Sequence, residues 1–145
     1  MRTRTLLLLA VGTGLLILVA GGIQLIRVSN QEESVPNSEL GAVIEVADMD
    51  IIVDGSDEAG DELRVAVTLG GVEDSDGASG FRLVVPGTGA LDPRRPSSAE
   101  GSCGATTVER RRCELIFDVE GVASDVRTLR YERGEASARW LLAGN

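Results

Sequence analysis

The sequence predicts an all-β domain, an antiparallel sandwich, preceded by one N-terminal transmembrane helix. Three observations carry this. An apolar run, Leu6 to Ile26, has only Thr13 and Gln24 as polar members. Beyond it the apolar residues recur with a period of two, the period of a half-buried strand. Between those alternating segments stand turn dipeptides rich in glycine, aspartate and proline.

The run Leu6–Ile26 extends over roughly 30 Å as a helix, the thickness of a hydrocarbon core. Arg2 and Arg4 precede it and only Arg27 follows. The excess of positive charge before the run predicts a cytoplasmic N-terminus, residues 1–5, and an extracytoplasmic remainder. The preferred reading is an uncleaved anchor over residues 6–26, with the chain held at the cell membrane as a single-pass protein. The rival reading is a signal peptide cleaved near Ala20-Gly21-Gly22, which releases a secreted protein. Both place the rest of the chain outside the cytoplasm.

Residues 27–38 read as a linker, because Ser29 to Ser38 is polar, contains Pro36 and lacks an apolar period. The outer domain is expected over residues 39–145. Leu63, Val65, Val67 and Leu69 alternate with polar neighbours. Phe81, Leu83 and Val85 repeat the pattern, as do Cys113, Leu115, Phe117 and Val119. Leu129 and Tyr131 follow, then Ala138, Trp140 and Leu142. Between Val46 and Met49 the phase slips, which predicts a bulge or a break. Asp54-Gly55, Gly70-Gly71, Asp76-Gly77, Pro86-Gly87, Glu120-Gly121 and Gly134-Glu135 are read as the separating turns. Six or seven short strands with one apolar face each bury those faces most simply by packing two sheets together.

Composition removes whole classes of chemistry. All 14 basic residues are arginine, and the chain has no lysine or histidine. A histidine base, a Ser-His-Asp triad, a Ser-Lys dyad and a lysine Schiff base are therefore excluded. Two cysteines cannot make a four-cysteine zinc site, and no cofactor motif is present. Cys103 and Cys113 form an even, isolated pair in an oxidising compartment, which predicts a disulfide.

Charge is unevenly spread along the chain, whose net value is -9. Residues 31–92 hold 15 acidic residues against two arginines, while residues 93–145 hold nine arginines against eight. Calcium is a candidate for the acidic part, through Asp54, Asp57 and Asp61 or through Glu73, Asp74 and Asp76. Solvated charge that keeps strand edges unpaired is the preferred reading, so no metal is expected. Arg94, Arg95, Arg110 and Arg111 are the candidate partner-binding residues, because guanidinium forks suit carboxylates and phosphates. The expected partners are the membrane, through the helix, and an envelope protein or anionic polymer. Nucleic acid is not expected outside the cell at this net charge.

The segments Phe81-Arg-Leu-Val-Val, Cys103, Cys113-Glu-Leu-Ile-Phe-Asp-Val, Leu129-Arg-Tyr and Ala138-Arg-Trp-Leu-Leu occur in an order with a known counterpart. It resembles that of the telokin-like, immunoglobulin-like domains on the surface of high-GC Gram-positive bacteria. The resemblance covers roughly residues 39–142. It implies an immunoglobulin-like sandwich, an envelope location and a binding or structural role. It brings no functional residue with it, because the family is largely without assigned activity. The acidic, glycine-rich stretch from Gly70 to Gly80 departs from the plainer turn expected there. The function expected from residues and resemblance together is a non-catalytic envelope module. A hydrolase built on paired carboxylates is the competing class.

Overall fold

The computed structural model describes residues 2–30, 36–95 and 101–142. It divides into two compact units, Met1–Ser34 and Val35–Asn145.

The first unit is one helix, α1 (Arg2–Asn30). The expected membrane span is corrected here. Among the described residues, no helix is long and apolar enough to cross a membrane. Gly12, Thr13, Gly14, Gly21 and Gly22 dilute the large apolar side chains of α1. The side chains of Leu6, Leu7, Leu9 and of Gln24 to Ile26 lie outside the described residues. Leu8, Val11, Leu15 to Val19 and Ile23 are all exposed.

The second unit is all β. Its strands are β1 (Ile44–Val46), β2 (Met49–Ala59), β3 (Glu62–Gly70), β4 (Phe81–Val85), β5 (Gly89–Leu91), β6 (Arg111–Asp118), β7 (Arg127–Arg133) and β8 (Ala136–Leu142). They make two four-stranded sheets, in the orders β1-β2-β3-β6 and β5-β4-β7-β8. Every pairing between them is antiparallel. The chain changes sheet between β3 and β4, between β5 and β6, and between β6 and β7. That is the crossing pattern of immunoglobulin-like sandwiches.

The slip between Val46 and Met49 is a tight turn in which Ala47 takes a left-handed φ of 57°. Asp54-Gly55 is not a turn, contrary to the dipeptide reading. β2 runs through it with a bulge, the register shifting between Val53 and Gly55. The hairpin closes instead at Gly60, whose φ of 63° suits glycine.

The alternation places the core. Every expected inward residue is buried except Ile44 and Cys113, which are half-buried and pack against the cluster. All four aromatic residues, Phe81, Phe117, Tyr131 and Trp140, are under 2% exposed. Phe81 and Tyr131 stack at a tilt, their centroids 4.5 Å apart. Among the described residues, every buried one lies between Val46 and Leu142. The second unit thus encloses its own core, both sheets and its disulfide, the make-up of a domain able to fold on its own.

Candidate functional site

The exposed edge of β6 is where the predicted cysteines and most of the predicted arginines meet. An unpaired edge invites association with other strands, and here two segments cover it. Arg94 donates its backbone N–H to the Ile116 carbonyl (2.6 Å). Further along, Cys103 N–H donates to the Glu114 carbonyl (3.2 Å) and Glu114 N–H to the Gly101 carbonyl (2.7 Å). Cys103 and Cys113 are bonded to each other, with their Cα atoms 5.0 Å apart. The disulfide fastens the loop ahead of β6 to β6 itself, within one sheet.

The loop is also tied to the stretch after β3. Asp74 and Thr106 exchange backbone hydrogen bonds of 3.2 and 2.7 Å, Gly71 N–H donates to the Val108 carbonyl (3.1 Å), and Ala78 N–H to that of Gly104 (3.3 Å). This docking explains the glycine-rich segment that departs from the resemblance. A Cβ at Gly77 would stand 2.4 Å from Thr106 Oγ1, and one at Gly80 would stand 2.3 Å from the Glu132 carbonyl oxygen. At Gly70 it would meet Arg110 Cα at 2.8 Å. The glycines are there because the chains approach too closely for any side chain.

The four candidate arginines fall into two pairs. Arg110 is held by Asp50, its Nη2 2.8 Å from Oδ2, and Arg94 by Glu62, Nη1 2.7 Å from Oε1. Arg94 and then Arg64 hold the Glu62 carboxyl below its ordinary range. Arg95 and Arg111 are exposed, and neither has a carboxylate partner among the described residues. They line two recesses that share the wall Ser102-Cys103-Gly104. The larger, about 450 Å³, holds Arg94 and Arg95 over a floor of Leu115 and Ile116. The smaller, about 250 Å³, holds Arg111 and Arg112. Asp76 and Glu114 also line the larger recess.

Neither proposed calcium set is assembled. Among the described residues no three potential metal ligands converge. Asp54 accepts from Thr68 Oγ1 (3.1 Å), and Asp74 accepts from Arg133 (2.7 Å) and from the backbone N–H of Asp76 (2.9 Å).

Two structural arginines escaped the sequence reading. Arg127 is 4% exposed and pairs with Glu58 at 3.2 Å, tying the β2–β3 hairpin to the other sheet. Arg133 joins Asp48, in the β1–β2 turn, to Asp74. Beside it the Tyr131 hydroxyl donates to the Gly77 carbonyl (2.9 Å). Arg133 holds Asp48 below the usual carboxylate range. Asp74 is lowered first by the Asp76 N–H and then by Arg133. The two carboxylates raise the Arg133 guanidinium in turn, and burial raises the Tyr131 phenol. The missed signal was parity. Continuing the inward series Leu129, Tyr131 by one step each way reaches Arg127 and Arg133.

No family model matches the chain, and no curated protein matches it. Among solved structures the chain is similar to the crystal structure of MPT63, a secreted protein from Mycobacterium tuberculosis, with a TM-score of 0.54. The two share 14% identity over 73% of this chain and 96% of that one. At that identity the likeness is one of fold. It supports the immunoglobulin-like sandwich and does not extend to the telokin-like label.

Proposed function

We propose that this chain is exported and acts outside the cytoplasm as a non-catalytic binding module, released in secreted form. The observation that carries the reading is the β6 edge. A disulfide, which persists in oxidising compartments, fixes the loop ahead of β6, and Arg95 and Arg111 flank that loop without carboxylate partners among the described residues. The fold shared with a secreted mycobacterial protein supports the same location. In this reading α1 is the export signal. In the same reading the sandwich is a telokin-like domain that acts at the cell envelope.

The ligand class is an anionic envelope component, a carboxylate- or phosphate-bearing polymer or an acidic protein segment. Guanidinium recognises both groups through paired hydrogen bonds.

Retention of residues 35–145 on immobilised polyglutamate and on polyphosphate tests the reading. Arg95→Gln with Arg111→Gln is expected to reduce retention about tenfold, while Arg64→Gln leaves it unchanged. Equal retention of the double variant and the parent would overturn the site, and intact α1 in a membrane-retained chain would restore the anchor.

A further inference from the structure

The outer faces of the two sheets set like charges against like. On the β5-β4-β7-β8 sheet Arg82 stands opposite Arg130, and Arg130 opposite Arg139. Neighbouring strands lie about 4.8 Å apart, so the row spans about 10 Å across three strands. The next outward row is Val84, Thr128 and Leu141, with Leu141 47% exposed. On the other sheet Glu45 stands opposite Asp50, and Glu62 opposite Asp118. Glu114 and Asp57 face the same way by register. Directly opposed like charges destabilise a sheet, and alternating signs across the strands would avoid the cost. Arg64, opposite Asp57, and Arg112 also stand outward on the β1-β2-β3-β6 sheet, and Glu132 on the β5-β4-β7-β8 sheet, so each face carries both signs with a clear majority of one. Counter-charges remain beside the rows: Asp92 and Glu132 pair with Arg82 and Arg130, and Arg110 and Arg94 with Asp50 and Glu62. None of them breaks the opposed pairs.

We propose that the occupant of the arginine face is the acidic face of a second copy of this chain. The argument is charge complementarity. One molecule carries a basic four-stranded face and an acidic four-stranded face on opposite sides of one sandwich. The contact is heterologous, so it does not close on itself, and copies add one after another in a stack. The net charge of -9 opposes association at long range. At 0.15 M salt the screening length is about 8 Å, which damps that repulsion and leaves the contacting pairs in force. Glu114 borders the Arg95 recess, but the arginine face is separate from Arg95 and Arg111, so the triple-arginine variant tests this proposal independently of that site.

Sedimentation velocity of residues 35–145 tests it. In 0.15 M salt the mean sedimentation coefficient is expected to rise continuously with concentration, and in 1 M salt to stay at the monomer value. Arg82→Gln/Arg130→Gln/Arg139→Gln is expected to be monomeric, as is Glu45→Gln/Glu114→Gln/Asp118→Asn. Mixed together, each supplies the face the other lacks, and they form a 1:1 dimer that does not grow. Thermal melts establish that both variants are folded. A parent that stays monomeric up to millimolar concentration, or a triple-arginine variant that associates as the parent does, overturns the proposal.

Discussion

The indole of Trp140 is fully buried on β8, and its ring nitrogen has no acceptor among the described residues. Its contribution is therefore packing rather than hydrogen bonding. Trp140→Ala is expected to cost about 3–5 kcal/mol, a large part of the stability of a domain this size. Trp140→Phe is expected to cost clearly less, because it keeps much of the ring and removes an unsatisfied N–H. Thermal melts of residues 35–145 compare the two. Gly80 is limiting in the opposite sense. The Glu132 carbonyl sits where its Cβ would be, and backbone cannot step aside as a flexible side chain can. Gly80→Ala is expected to destabilise by about 1–3 kcal/mol, read from the urea midpoint. Arg133 gives a pH test. The carboxyls of Asp48 and Asp74 are lowered in the fold. Their contribution is thus complete above the unfolded value near pH 4 and is lost as pH falls through the lower folded values. Stability is expected to decline below about pH 4, and Arg133→Met to flatten that decline. An unchanged acid limb in Arg133→Met would remove the ion-pair explanation.

At the scale of elements, period two marks six or seven strands, because a strand packed on one face advertises itself by alternation, and the structure resolves the stretch around Val46 and Met49 into two, β1 and β2. Gly89–Leu91 was invisible, since three residues beginning with glycine have no period to read. Asp54-Gly55 misled because the same dipeptide serves a turn and a bulge. Only the cross-strand register, which the sequence does not contain, separates them. The cysteine pair was legible from count and compartment, and the four candidate arginines from clustering. Which of those arginines are neutralised was not legible, because Asp50 lies 60 residues from Arg110 and Glu62 32 from Arg94. The disulfide spans ten residues, and closing so short a loop contributes about 2–3 kcal/mol in the chain-entropy model. Cys103→Ala/Cys113→Ala is expected to lose that amount in denaturant melts. It is also expected to weaken retention on polyanion, since Arg95 and Arg111 flank the loop the disulfide fixes.

For the whole molecule, an apolar helix precedes a sandwich that contains its own core. The oxidised cysteine pair fits the proposed work outside the cytoplasm. The measurement that bears most directly on this is the intact mass of the protein recovered from producing cells, taken without reductant. The expected result is a species in the medium that lacks the residues up to the region of Ala20 to Gly22. Its mass is two hydrogens below the reduced value, the signature of the Cys103–Cys113 bond. A chain found only in the cytosol, with its N-terminus intact and both thiols free, would contradict it.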